Sequence, residues 1–214
     1  TRYLGDLVPP RQLLRELMRA TDAMNANHDE GLTNEEVFAS VFYPAMDQDR
    51  ATLERAFQRF YAEAFPRLRG LTKRRPEARR LVASALEHGL KVVVATNPLF
   101  PRIAVEQRLA WAGVSVQEFD YALVTTYENM HATKSSLSYY NEILEHVKTQ
   151  PDNALMVGDS WDMDIVPASS IGLPVYWTVE RDGFDSSVSS LVGWGTLSEL
   201  WALVDARGWT LGAN

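Results

Sequence analysis

Four short apolar runs in the second part of the chain limit its fold more than any other feature. Lys91-Val92-Val93-Val94-Ala95, Tyr121-Ala122-Leu123-Val124, Ala154-Leu155-Met156-Val157 and Pro174-Val175-Tyr176-Trp177 all lack polar alternation. A strand with water on one face alternates, whereas a strand covered on both faces does not, and double cover marks a parallel sheet between helices. A helical pattern from Pro76 to Gly89 precedes the runs, and others separate them at about 101–112, 135–148 and 162–171. Thr196-Leu197-Ser198-Glu199 opens a last helix carrying Leu200, Leu203 and Val204. The order predicts βαβ units in an α/β fold. Residues 180–195, rich in Ser, Gly and Asp, read as a loop.

Before residue 90 no strand pattern occurs. Leu13, Leu14, Leu17, Met18, Thr21 and Met24 recur at three- and four-residue intervals and predict an amphipathic helix over Pro9–Asn25. Thr33-Asn34-Glu35-Glu36 has the capping-box form and leads into Val37, Phe38, Val41 and Phe42. A third helix is expected from about Asp47 to Ala64. Charge divides the chain at the same place as periodicity: residues 1–75 hold 12 basic and 11 acidic side chains, residues 76–214 hold 9 and 17. A hinge is expected near Arg67–Pro76, punctuated by Gly70 and Pro76.

Composition removes several function classes. With 46% hydrophobic and 23% charged residues over 214 positions, the chain can bury a sizeable core. A net charge of −7 argues against a general nucleic-acid coat. No apolar run approaches the roughly 18 residues needed to cross a bilayer, and the first twenty positions are strewn with charge. The absence of cysteine removes disulfides, thiolate metal sites and a Cys nucleophile, and is compatible with a cytoplasmic location.

In an open parallel sheet ligands bind beyond the carboxyl ends of the strands. The first run ends in Thr96-Asn97, the second leads through Thr125-Thr126 to Lys134, and the third ends in Gly158-Asp159-Ser160, with Asp164 five residues after Asp159. Singly these are an N-cap, a helix-start lysine and turn carboxylates. Together, on successive strand ends, they bring a hydroxyl, an ammonium and two carboxylates to one rim.

Val93-Val94-Ala95-Thr96-Asn97-Pro98, then Lys134, then Met156-Val157-Gly158-Asp159-Ser160-Trp161-Asp162-Met163-Asp164-Ile165 resemble the second, third and fourth motifs of the haloacid dehalogenase-like (HAD) hydrolase superfamily. The matched order spans about residues 76–178 and the final helix. This resemblance implies a Rossmann-like parallel-sheet core, expected at 76–214, and an all-helical cap, expected at 1–75. It also implies a phosphatase that uses Mg²⁺ and an aspartyl-phosphate intermediate on a small phosphorylated metabolite, without nucleic-acid or membrane partners. Carried onto this chain, Thr96 and Asn97 would bond the transferring phosphoryl oxygens and Lys134 would neutralise nucleophile and phosphate. Asp159 would hold Mg²⁺, and Asp164 would be a second ligand or an outer-shell partner of it.

The family's first motif, an apolar strand ending Asp-x-Asp-x-Thr/Val, supplies the nucleophile and general acid and is absent here. Leu4-Gly5-Asp6-Leu7-Val8 offers Val8 where the second Asp should stand. That strand lies at the middle of the family's sheet, and leaving it out strands backbone donors and acceptors at roughly 1–3 kcal/mol each. The expectation is therefore a native segment of roughly twenty residues upstream of Thr1, enough for one buried strand and its flanks, and no activity in the 214-residue chain alone. A non-catalytic binding or scaffold protein with this fold is the alternative. The run Arg67, Arg69, Lys73, Arg74, Arg75 is its best support, although a solvated hinge explains that run as well. A serine esterase built on Ser160 lacks a downstream histidine, and a receiver domain would order its residues Asp, Thr, Lys. Halide-releasing members work without metal, and the acidic Gly158-Asp159 motif favours the phosphatase.

Overall fold

In the computed structural model, which describes residues 3–27, 29–180 and 188–209, the elements follow one another as α1 (Pro10–Asn25), α2 (Asn34–Phe42), α3 (Arg50–Arg59), α4 (Pro76–Glu87), β1 (Val93–Val94), α5 (Arg102–Ala112), β2 (Leu123–Val124), α6 (Leu137–Val147), β3 (Met156–Gly158), α7 (Val166–Ser170), β4 (Val175–Thr178), β5 (Leu191–Gly195) and α8 (Leu197–Arg207). Among the described residues this is an α/β fold whose strands pair in parallel and follow a run of helices. None of its helices among the described residues is long and apolar enough to cross a membrane.

The chain divides into two compact units. The first gathers Thr1–Arg74, Thr96–Ser115 and Thr125–Thr133; the second gathers Arg75–Ala95, Val116–Val124 and Lys134–Asn214.

In the first unit Pro10 opens α1, where its missing N–H would have had no partner in any case. Ala20 and Met24 are buried, and Leu13 and Leu17 pack with Ala20 against a core of Leu4, Val8, Phe42, Met46, Leu53 and Ala56. Leu14 and Met18, expected in the same stripe, are 62% and 53% exposed. The inward line is Leu13, Leu17, Ala20, Met24, and each rejected residue follows one of its members by about 100° of helical turn. At Thr33 the capping box forms: its hydroxyl accepts from Glu36 N–H, and the Glu36 carboxylate accepts from Thr33 N–H at 2.8 Å. The expected third helix begins at Arg50, with Asp49 as its cap, and leaves the α form after Arg59. A π turn over Phe60–Ala64 and a 3₁₀ stretch over Phe65–Leu71 replace it. Pro66, which has no N–H to donate back, explains the change. Phe65 is buried with Ala104 and Trp111, the two rings 5.2 Å apart.

The second unit holds the sheet as two ladders. β1 pairs with β2, and β3 pairs with β4, which pairs with β5. β1 and β3 are thus edge strands, and Val92–Ala95, Leu155 and Val157 are only half-buried. Tyr176 of β4 is buried with Leu81 of α4 and Leu200 and Val204 of α8.

β5 corrects the loop expected at 180–195; residues 181–187 of that span lie outside those described. Its glycines and serines hide a strand from propensity. Gly193 is there because the Tyr176 ring crosses it: a Cβ at that position would stand 2.9 Å from Tyr176 Cε2.

Candidate active site

The carboxyl ends of β1 and β2 are tied together by two threonines. Thr96 N–H donates to Thr125 Oγ1 at 2.8 Å, Thr96 Oγ1 donates to Thr125 O at 2.9 Å, and Thr125 Oγ1 donates to Thr96 O at 3.0 Å. Thr125 is fully buried, so this reciprocal clasp fixes the backbone that carries Thr96. One residue on, the Asn97 carbonyl accepts from Leu99 N–H at 2.8 Å, turning the chain toward α5. Both Thr96 and Asn97 are half-buried.

The loop beyond β2 is held from α2. The first-turn donors Asn34 N–H and Glu35 N–H, which a helix cannot satisfy internally, reach Met130 O at 2.9 Å and Tyr127 O at 2.8 Å. The Asn34 amide donates to Ala132 O at 3.1 Å, and the Asn27 amide donates to His131 O at 2.7 Å. These bonds order the segment that runs into Lys134.

Beyond β3 the geometry centres on Asp164. Its Oδ1 accepts from Lys134 Nζ at 2.5 Å, and its Oδ2 accepts from Asp159 N–H and Ser160 N–H, each at 3.1 Å. The Lys134 and Asp164 side chains are 11% and 4% exposed, so the pair is largely desolvated. Space for it comes from Gly158: a Cβ there would lie 2.3 Å from Asp164 Cβ. Ser160 caps the turn Trp161–Ile165 through Met163 N–H, which brings Asp164 back over its own loop. The Tyr140 hydroxyl donates to Met163 O, and burial first, then Asp164, pushes this phenol far above its ordinary value and keeps it a donor. Asp159 is exposed, and its carbonyl accepts from Trp177 Nε1–H at 3.1 Å.

The structure therefore joins Lys134 to Asp164 and Asp164 to the main chain of Asp159, and it joins Thr96 to Thr125. Thr96 and Asn97 belong to the first unit, Lys134, Asp159 and Asp164 to the second. Among the described residues no group of three or more acidic or histidine side chains is gathered for a metal. The donor set nevertheless fits Mg²⁺, which takes one or two carboxylates and keeps water and substrate oxygens for the rest: Asp159 is the outward carboxylate, and the Asp164 oxygens are already turned to Lys134 and the loop amides. Thr125, Tyr140 and Trp177 escaped the sequence reading. The Thr125-Thr126 pair after an apolar run was a signal for the first; the other two act across the fold, where spacing gives none.

A family model described as haloacid dehalogenase-like hydrolase matches residues 13–172. No curated protein matches the chain. Among solved structures, 2-haloacid dehalogenase from Pseudomonas syringae pv. Tomato DC3000 is 18% identical with a TM-score of 0.59, over 96% of this chain and 84% of that one. CbbY from Rhodobacter sphaeroides, solved in complex with phosphate, is 19% identical with a TM-score of 0.52, over 91% of each chain. YfnB from Bacillus subtilis, solved bound to magnesium, is 18% identical with a TM-score of 0.51, over 95% and 88%. At such identities the likeness is one of fold.

Proposed function

The chain belongs to the haloacid dehalogenase-like hydrolases, and within that family we propose that it is a Mg²⁺-dependent phosphatase of small phosphate monoesters, working through an aspartyl-phosphate whose aspartate lies on a strand upstream of Thr1. In this reading residues 1–75 are the cap, residues 76–214 are the core, and the protein is cytoplasmic. The observation that carries it is the Lys134–Asp164 pair, locked by Asp164 Oδ2 to the amides of Asp159 and Ser160. This arrangement keeps a cation inside a nearly dry site, as a dianionic substrate requires, and leaves the Asp159 carboxylate exposed for a divalent ion. The upstream strand draws support from the sheet itself: β1 and β3 are edges of separate ladders, and their apolar residues are half-covered.

In the reaction the upstream carboxylate attacks phosphorus while the bond to the leaving oxygen breaks, and water later cleaves the acyl phosphate to restore the carboxylate. Lys134, anchored by Asp164, places its ammonium to neutralise the nucleophile and the phosphoryl oxygens. A divalent cation at Asp159 would supply further charge neutralisation. Asp164 holds Lys134 in place, so the ammonium needs no reorganisation when charge develops.

Phosphate release from an aryl phosphate, with Mg²⁺ and with chelator, tests the reading. Turnover should require Mg²⁺ and fall by about 100-fold or more in Lys134→Ala. Halide release from 2-chloropropionate, unaffected by chelator, would instead make the protein a dehalogenase.

A further inference from the structure

Both peptide planes that flank Asp159 are pinned. Asp159 N–H and Ser160 N–H go to Asp164 Oδ2, and Asp159 C=O accepts from the Trp177 indole. With those planes fixed, only the two side-chain torsions of Asp159 remain free. Asp164 is five residues along the same loop, but Trp177 reaches in from the neighbouring strand, where it stands in register with Gly158. Trp161, the first residue after the Ser160 cap, meets the Trp177 ring at 5.0 Å between centroids and 60° between planes. That edge-to-face contact holds the indole in the rotamer that points Nε1–H at Asp159 O.

We propose that Trp177, steadied by Trp161, is a positioning residue that presents the Asp159 carboxylate to the divalent cation. The inference rests on the phosphatase reading for the identity of the cation, but the hold on the loop stands apart from it. Trp177 acts through the Asp159 main chain, to whose carbonyl it donates. Outer partners of metal ligands commonly govern affinity in this way, and losing one weakens binding by 10- to 100-fold.

The test uses the protein carrying its nucleophile strand. Calorimetric Mg²⁺ titration should show Trp177→Phe, which keeps a ring but loses the donor, binding about tenfold more weakly. Trp161→Phe should stay within about threefold, because it retains an edge-to-face partner. Trp201→Phe, a ring on α8 packed against the Leu81, Tyr176, Leu200 and Val204 cluster, should match the wild type. In the wild type the Trp177 indole N–H resonance should shift on Mg²⁺ addition, a signature that a merely structural tryptophan would not give and that needs no variant to fold. Unchanged Mg²⁺ affinity in a folded Trp177→Phe, or a resonance indifferent to Mg²⁺ while the protein binds it, overturns the proposal. If the wild type does not bind Mg²⁺, the phosphatase reading fails instead, and amide exchange at Ser160 decides the matter: faster exchange in Trp177→Phe upholds the hold on the loop, and equal exchange removes it.

Discussion

The carboxylate of Asp164 accepts from an ammonium and two amides at once, and removing its charge takes from the nearly buried Lys134 the carboxylate it bonds at 2.5 Å. Breaking one side of such a pair costs about 3–5 kcal/mol, so Asp164→Asn should lower the urea midpoint by a corresponding amount. A loss below about 1 kcal/mol would place the pair among exposed ones. Asp159 and Asp162 differ in the opposite sense. Both are exposed, but Asp159 follows the end of β3, with its N–H on Asp164 and its carbonyl on Trp177, whereas Asp162 sits within the turn Trp161–Ile165, so Asp159→Asn should weaken Mg²⁺ binding far more than Asp162→Asn in calorimetry; equal effects would mean the wrong carboxylate is assigned. In the helical unit, burial and then Glu128 raise the Glu35 carboxyl above its ordinary value, with Arg50 opposing. A raised folded value means that the ionised form burdens the folded state; the burden is present at neutral pH and disappears as pH falls through that value. Glu35→Gln should therefore raise the melting temperature slightly at pH 7 and lose its advantage in acid, and a lower value at pH 7 would contradict this. That Asp164 returns to the main chain of Asp159 was legible in sequence, because they stand five residues apart in one loop. Trp177 was not, because its part depends on the register of β4 against β3.

Helices were legible wherever apolar spacing and a cap agreed, as at Thr33 and Thr196, where both capping boxes form. Thr33→Ala should cost about 1 kcal/mol in chemical denaturation, as lost caps do. Asn34→Ala should cost about the same or more, since it frees Ala132 O inside the loop that leads to Lys134. Equal stability of Asn34→Ala and the wild type would show that the loop does not depend on α2. The strands were less legible. Apolar runs of four or five residues gave ladders of only two or three at β1, β2 and β3. A run marks where a strand can be buried, while the ladder extends only as far as neighbours supply hydrogen bonds on both sides. β5 was missed for the reverse reason, its glycine being demanded by the Tyr176 ring rather than by the backbone.

At the scale of the molecule, the sequence spoke clearly of helices first and a parallel sheet second, and the fold has that order. What spacing could not reveal was that Thr96–Ser115 and Thr125–Thr133 would pack with the first helices, because those loops join them through main-chain carbonyls that any residue provides. The sheet in two ladders is the feature on which the functional account turns. A parallel strand lying between β1 and β3 would pair with both edges, cover Val92–Ala95, Leu155 and Val157, and carry the nucleophile to the rim where Lys134 and Asp159 stand. The most direct test is Mg²⁺-dependent hydrolysis of an aryl phosphate, measured side by side for the 214-residue chain and for the protein with its upstream strand. The account predicts turnover only when the strand is present, lost on replacing its first aspartate. Turnover by the 214-residue chain alone, or none with the strand and Mg²⁺ both supplied, would contradict it.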